Sequence, residues 1–392
     1  MLQSILKVDD KPINLNTRIS LISVIFMAVI GPEVFIVQPG FVLGMVEYMG
    51  FDEKVAGDIA SAEMWGIAIT TLLMTFTAHR FNWRQVIFYS LLIMVIGNLV
   101  SIFATSPLYF GVWRFVVGIG AGGLISLAFT VIGLTDKPDR NFGYMIMWVL
   151  VYGAIVLMAM PSAYQLVGME GVLIFLALLP AIGLIFVRYL PTSGTEHVQI
   201  EADAINLPSV YKFSALLAMF LYFLAQGVVW AYLFLIGITG GGSEQEIANG
   251  LTASQFLGVA GAFTAAMIGS RWGRSLPVSI GILGTFIPLF WLFGNMGALV
   301  YGLAVCVYNY FWNLSHPFML AAMASFDRTG RTVTFAVAAQ MLGLAIGPWI
   351  AARVFTEGDF SIVIWLGIIL FIASLVFFLP PIQKHRSLST GA

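Results

Sequence analysis

Twelve stretches of about 20 or more mostly apolar residues follow one another along this 392-residue chain, and nothing in it constrains the fold more. They cover 19–46, 59–78, 86–104, 107–133, 142–165, 169–190, 212–238, 249–269, 276–295, 297–325, 332–355 and 360–381. At about 1.5 Å per residue each is long enough for a helix to cross the hydrocarbon core of a bilayer. Strands of a membrane barrel would be about ten residues long and would alternate apolar with polar positions. These runs are longer and apolar on all faces, so their backbone polar groups must be satisfied within helices. Only 9% of residues are charged, against about a quarter in an ordinary soluble domain. The sequence therefore predicts an all-α polytopic membrane protein with twelve transmembrane helices.

Charge sets the orientation, because Lys and Arg collect on the cytoplasmic side. With the amino terminus inside, fifteen of the eighteen basic residues fall at the cytoplasmic face, among them Arg18, Arg80, Arg84, Lys137, Arg188, Arg271, Arg274, Arg328, Arg331 and Lys384. Lys54 and Arg353 fall outside, and Arg114 lies within a span. An even number of spans then puts both termini in the cytoplasm, and the expected location is the cytoplasmic (inner) membrane. Lys7, Asp9, Asp10 and Lys11 interrupt the start of the chain, so no removable signal peptide is predicted. The basic residues line one membrane face rather than forming a nucleic-acid patch, and no nucleic-acid partner is expected. Cys306 is the single cysteine and lies in a span, which excludes an internal disulfide and a multi-cysteine metal site. There is no HExxH, no P-loop and no paired histidine spacing suited to haem. No enzyme, metal or cofactor is expected.

Residues 191–211, "PTSGTEHVQIEADAINLPSVY", break the run of short loops with a polar stretch. They divide the chain into a first six-helix bundle over 1–190, a cytoplasmic linker over 191–211 and a second bundle over 212–392. A weak internal repeat agrees: "HRFNWRQ" at 79–85 follows span two and "SRWGRSL" at 270–276 follows span eight, with Arg80 and Arg271 offset by 191 residues. Parallel halves of this kind are common in secondary transporters, where the solute site lies between them near the bilayer midplane.

Charges and helix breakers within the spans identify candidate functional groups. Glu33 is 15 residues after Arg18, roughly 22 Å along span one, in "AVIGPEVFIVQPG". Pro32 and Pro39-Gly40 remove donors and kink the helix on either side of it. Broken backbone at that depth is tolerated where protein or a water-filled cavity surrounds it. A charge at a helix centre costs about 2.5 to 3.5 kcal/mol on insertion scales, so Glu33 and Arg114, which is about eight residues into span four, both need a reason. Three readings of Glu33 stand: a proton carrier whose pairing with Arg114 changes during transport, one partner of a static interhelical ion pair, or a direct contact to the solute without titration. Glu63, about five residues into span two, is expected nearer the outer face, where solvent reaches it, as a cavity-mouth member of the same proton-coupling set. Glycines 118, 120, 122 and 123 are expected to let helices pack closely.

The later spans offer neutral groups. Asn309, Trp312, Asn313 and His316 share a face of span ten, and Tyr222, Gln226 and Trp230 recur at four-residue steps in span seven. With Gln38 of the broken first span they are the expected lining of a solute cavity, aromatic with a few hydrogen-bonding groups, and suited to a small amphipathic organic molecule. The alternative is that these stripes only pack the bundle.

The chain resembles the major facilitator superfamily of transporters over nearly its whole length. The loop after helix two in that family reads G-x-x-x-D-R-x-G-R-R; Thr75–Arg84, "TFTAHRFNWR", keeps Arg80 and Arg84 and has His79 in place of the aspartate. The arginine and glycine-rich pattern of helix four is well kept in "RFVVGIGAGG" from Arg114. Helix five, "YGAIVLMAMPSA", lacks the glycine–proline run common in exporters, and a comparable "GLAIGP" stands at 343–348 instead. The resemblance implies two pseudo-symmetric six-helix bundles, a monomer in the lipid bilayer, and a part for Arg114 in proton coupling. It also implies gating roles for Arg80, Arg84, Arg271, Arg274, Asp327 and Arg331. An acid in helix one with an arginine in helix four is similar to the drug-exporter branch, so the leading expectation is export of a solute in exchange for protons. Proton-driven uptake of an organic acid or similar metabolite comes next, and a non-transporting receptor or scaffold third.

Overall fold

The structure is a computed structural model, and it describes residues 13–104, 106–136, 138–193, 204–269, 272–327, 331–356 and 358–389. Among these the chain is helical throughout, with one isolated bridge between Thr356 and Asp359 and no strand. Twelve successive helical passages can be numbered. The first, α1, is broken into Arg18–Ile30, Glu33–Ile36 and Gln38–Leu43, and ends in a π-helical turn, Gly44–Tyr48. Then come α2 (Glu53–Thr77), α3 (Trp83–Ser101) and α4 (Pro107–Gly133). Helices α5 (138–167) and α6 (169–186) are joined through Gly168, whose φ of 65° and ψ of −172° only glycine adopts readily. The remainder are α7 (Ser209–Trp230, resuming as Leu233–Thr239), α8 (Glu244–Ile268), α9 (Ser275–Phe286), α10 (Gly297–Ser325), α11 (Arg331–Val354) and α12 (Ser361–Ser389).

Nine helices among the described residues are long and apolar enough to cross a membrane, and one of these, Arg140–Tyr189, contains both α5 and α6. The two passages not among them have visible reasons. α1 is broken at its prolines, and α10 is 29 residues long but carries Asn309, Asn313 and His316. The chain is a multi-pass membrane protein.

Helix starts follow local chemistry rather than hydropathy. Asp52 caps α2 by accepting from the Lys54 amide at 2.8 Å. Counting apolar residues alone starts that span at 59, six residues late, because Glu53, Lys54 and Asp58 lie in its first turns. Ser243 and Glu246 form a reciprocal capping box at the start of α8.

The described chain groups into two compact units. One contains Met1–Gly153 and Ser162–His197, the other Ala154–Pro161 and Val198–Ala392. The sequence division at 190–212 therefore differs from this grouping at one place in α5. Within the first unit, α2 and α4 meet through glycine. A β-carbon on Gly118 would strike the carbonyl oxygen of Glu63, and one on Gly66 the carbonyl oxygen of Phe115. One on Gly122 would lie 2.6 Å from the Ile67 carbonyl oxygen. Without an area-driven force between helices in lipid, such close backbone approach is what holds a membrane pair together. In the second unit the "GLAIGP" run serves the same purpose: a β-carbon on Gly347 would lie 2.6 Å from Gly227 of α7, and one on Gly343 2.7 Å from the Phe220 carbonyl oxygen.

Candidate functional site

The α2–α4 glycine contact brings Glu63 and Arg114 together. Arg114 is fully buried and Glu63 is 4% exposed. Nε of Arg114 donates to Oε2 of Glu63 at 3.0 Å, and Nη2 donates to Oε1 at 2.6 Å. Nη1 donates to Oδ1 of Asn98 on α3 at 2.5 Å. The orientation of that amide is fixed by its own Nδ2, which donates to the Leu176 carbonyl of α6 at 2.9 Å. The guanidinium also lies 5.1 Å over the ring of Phe41 on α1. A buried charge is tolerated only when paired and hydrogen-bonded, and this forked pair meets both conditions.

Glu33 has no such provision. It is 1% exposed, and neither of its carboxylate oxygens makes a hydrogen bond. Arg114 and Glu63 are the charges that act on it, and the Asn98 amide lies alongside. The Tyr152 phenol of α5 lies within reach of the carboxylate's field, and its hydroxyl is likewise buried without a hydrogen-bond partner. The break in α1 that presents Glu33 is seated against α4, where a β-carbon on Gly31 would come within 2.7 Å of Ile125.

Two expectations need correction. Arg114 does not form a hydrogen-bonded pair with Glu33; its forked donors go to Glu63. Glu63 is not a shallow, solvated mouth residue. Because α2 starts at Glu53, Glu63 lies ten residues in, about 15 Å along the helix, deep enough to meet Arg114.

The second unit holds a neutral network. Tyr222 and Ser315 hydroxyls bond at 2.7 Å, and the Tyr308 hydroxyl donates to Oε1 of Gln226. Asn309 Nδ2 donates to the Ser254 hydroxyl at 3.2 Å, and Asn313 Nδ2 donates to Asn309 Oδ1 at 2.8 Å. His316 Nε2 pairs with Gln340 Oε1 at 3.1 Å and its ring meets Phe223 edge-on. Trp230 and Trp312 stand edge to face at 5.6 Å. Tyr222, Gln226, Trp230 and Asn309 are buried, and Trp312, Asn313 and His316 are half-buried. Gln38, in the first unit, is buried with its Oε1 unpartnered.

The loop arginines differ among themselves. Arg84 is buried, and its Nε donates to the Leu190 carbonyl at 2.7 Å. The neighbouring Trp83 amide donates to the Thr192 carbonyl at 2.9 Å, so this loop is tied to the end of α6. Arg80 is exposed and Arg274 half-buried. Asp327 accepts from the backbone amide of Thr332 at 2.8 Å and from its hydroxyl, which caps the start of α11. Arg271 and the Arg331 side chain lie outside the described residues.

Asn98, Tyr152, Phe41, Ser254, Tyr308 and Gln340 join these sites without having been singled out in the sequence. Asn98 carried a usable signal, a polar side chain inside an apolar span. Tyr152 and Phe41 carried none that separates them from ordinary core aromatics.

Comparison with known proteins decides the fold. The family model described as Major Facilitator Superfamily matches residues 21–210. A crystal structure of a D-xylose–proton symporter superposes with a TM-score of 0.74 at 16% identity, covering 93% of this chain and 98% of the other. The inward-open form of the xylose transporter XylE from E. coli gives 0.72 at 15% identity, with 93% and 98% covered. Its partially occluded inward-open form gives 0.71 at 15%, with 92% and 97% covered. This is the major facilitator fold. No curated protein sequence matches the chain. At such low identity the likeness carries the architecture of the major facilitator fold and leaves the solute to the chemistry of the chain itself.

Proposed function

We propose that this chain is a major facilitator superfamily transporter that moves a small amphipathic organic solute by alternating access, coupled to protons through Glu33. One observation carries the reading. Glu33 is buried with both oxygens unpartnered while the neighbouring guanidinium is committed to Glu63 and Asn98. A static structural acid would hold the arginine, as Glu63 does. An acid left without a partner beside a broken helix is suited to carry a proton that comes and goes, because its ionised form needs water or Arg114 and its neutral form needs neither. Glu63 then serves as the fixed counter-ion that keeps Arg114 in place, and the Tyr152 phenol lies in the field of the carboxylate that exchanges the proton.

Export in exchange for protons is the first direction, supported by the resemblance of an acid in helix one and an arginine in helix four to drug exporters. Uptake together with protons is the second, favoured by the likeness in fold to a D-xylose–proton symporter. In either case the solute is read by the neutral groups of the second unit, Tyr222, Gln226, Trp230, Asn309, Trp312, Asn313 and His316. The chain acts as a monomer in the inner membrane with both termini cytoplasmic, and the loops bearing Arg80, Arg84, Arg271, Arg274, Asp327 and Arg331 take part in gating.

Proteoliposomes with a trapped pH-sensitive dye test the coupling, under gradients imposed in each direction and with a panel of candidate solutes. Solute-dependent proton movement should occur in the wild type and vanish in Glu33→Gln. If the variant moves protons with solute as the wild type does, Glu33 is not the carrier.

A further inference from the structure

Asn98 accepts from the third nitrogen of the Arg114 guanidinium, and the reason it is held there lies on α6. In a regular helix the Leu176 carbonyl would receive a hydrogen bond from the amide four residues on. That residue is Pro180, which has no N–H, and a proline ring also crowds the carbonyl it fails to meet. A carbonyl freed in this way inside a membrane is met by a neighbouring helix. Asn98 Nδ2 of α3 meets it at 2.9 Å. Leu176, Asn98 and Arg114 are all fully buried.

The other end of the amide is thereby aimed. With Nδ2 on the Leu176 carbonyl, Oδ1 faces Arg114 and accepts from Nη1 at 2.5 Å. The opposite orientation would set oxygen against carbonyl oxygen and NH2 against guanidinium, so it is excluded. Close packing keeps these groups in line. A β-carbon on Gly97, next to Asn98, would lie 2.5 Å from Val117 of α4. One on Gly183 of α6 would lie 3.0 Å from Leu91 of α3 and 3.5 Å from Ile30, the last residue of α1 before its break.

All three nitrogens of Arg114 are therefore committed, Nε and Nη2 to Glu63 and Nη1 to Asn98, while both oxygens of Glu33 stay unmet. Glu33 is nonetheless within their field. Arg114 of α4, Glu63 of α2 and Asn98 of α3 act on it, and it acts on Tyr152 of α5. Without Asn98, the freed Nη1 donor has an unmet carboxylate to turn to. A neutral amide that makes no bond to that carboxylate is a weaker influence on it than a guanidinium that does.

We propose that Asn98 and Pro180 are positioning residues of the proton site: the carbonyl left open by Pro180 holds the Asn98 amide, and Asn98 keeps the third nitrogen of Arg114 from pairing with Glu33. The part played by Glu33 rests on the transport reading above. A carboxylate gripped by a guanidinium stays ionised and carries nothing, whereas one kept from that grip is able to take up a proton and give it back. The second unit has the first step of this arrangement without the second. Pro381 of α12 leaves the Phe377 carbonyl open, and the Ser214 hydroxyl of α7 donates to it at 2.7 Å.

Purified protein without solute tests both steps. Melting in detergent reads the first. Asn98→Leu leaves the Leu176 carbonyl and one Arg114 nitrogen unmet, and should melt well below the wild type. Pro180→Ala returns an amide to that carbonyl, so Asn98→Leu should cost fewer degrees in a Pro180→Ala background, or fold there if it does not fold alone. Infrared spectra read the second step, through the protonated-carboxyl band that Glu33→Gln removes. At a pH where the wild type shows this band, Asn98→Leu should lose most of it, alone or with Pro180→Ala. Ser214→Ala should lower the melting temperature and leave the band unchanged, which separates a loss of stability from a loss of position. The inference is overturned if Asn98→Leu costs the same in both backgrounds, if Pro180→Ala fails to rescue an unfolded Asn98→Leu, or if the band is as strong in Asn98→Leu as in the wild type. A band absent from the wild type at every pH where the protein is folded would overturn the carrier reading of Glu33 and with it the second step, while the melting comparison still decides the first.

Discussion

Arg114 gives both forked donors to Glu63, at 3.0 and 2.6 Å, and makes no hydrogen bond to Glu33. Two acids thus act on this one base, and the base is already taken. Glu63→Gln should break the fork and leave Arg114 as a buried charge with a weaker partner, a change that costs about 3 to 5 kcal/mol when one member of a buried pair is removed. Thermal melting in detergent should show a large drop. A variant that melts like the wild type would mean that Arg114 has re-paired, with Glu33 the available acid. The double variant Glu63→Gln with Glu33→Gln separates the cases, because it should melt lower only if that re-pairing had occurred.

Tyr152 has a buried hydroxyl with nothing to bond, in the field of Glu33. Removing such a hydroxyl should leave stability unchanged or raise it by up to about 1 kcal/mol, since the penalty for an unmet polar group disappears. Tyr152→Phe should therefore keep its melting temperature and lose solute-dependent proton flux by severalfold in proteoliposomes. Unchanged flux would show that the phenol only fills space.

Glycine contacts make a sharper stability test, because position alone decides the outcome. Gly118→Ala places a methyl against the Glu63 carbonyl oxygen, and overpacking of that kind costs about 1 to 3 kcal/mol. Gly133, at the end of α4, has open space where its β-carbon would go. Gly133→Ala should melt like the wild type or slightly above it, and Gly118→Ala clearly below. Equal melting temperatures would mean that α2 and α4 slide apart at no cost.

The all-α, twelve-span architecture was legible because apolar runs of this length leave a backbone in lipid one way to satisfy itself. The broken first helix was legible too, since Pro32 and Pro39 each remove a donor. Which acid meets Arg114 was not. Hydropathy fixes where a span becomes apolar, and α2 starts earlier than that, at an Asp52 cap. Six residues are about 9 Å of helix, enough to move Glu63 from the expected mouth to the level of Arg114. Partner choice also depends on helix rotation and glycine contact, which one sequence does not specify.

The loop between α2 and α3 keeps two arginines, and they should behave differently. Arg84 is buried and its Nε donates to the Leu190 carbonyl at the end of α6, while Arg80 is exposed. Arg84→Ala removes that donor and leaves a buried carbonyl short of a partner, which should cost about 1 to 3 kcal/mol. Arg84→Lys should not restore it, because the bond uses the guanidinium Nε–H and a lysine presents only a terminal ammonium. Arg80→Ala should change melting by about 0.5 kcal/mol or less, as surface substitutions usually do. If transport in Arg80→Ala nevertheless falls while its melting temperature is kept, the exposed arginine acts in gating rather than in folding. Equal losses of stability in both alanine variants would instead mean that the loop is held as one unit and that the Arg84–Leu190 bond is not what ties it to α6.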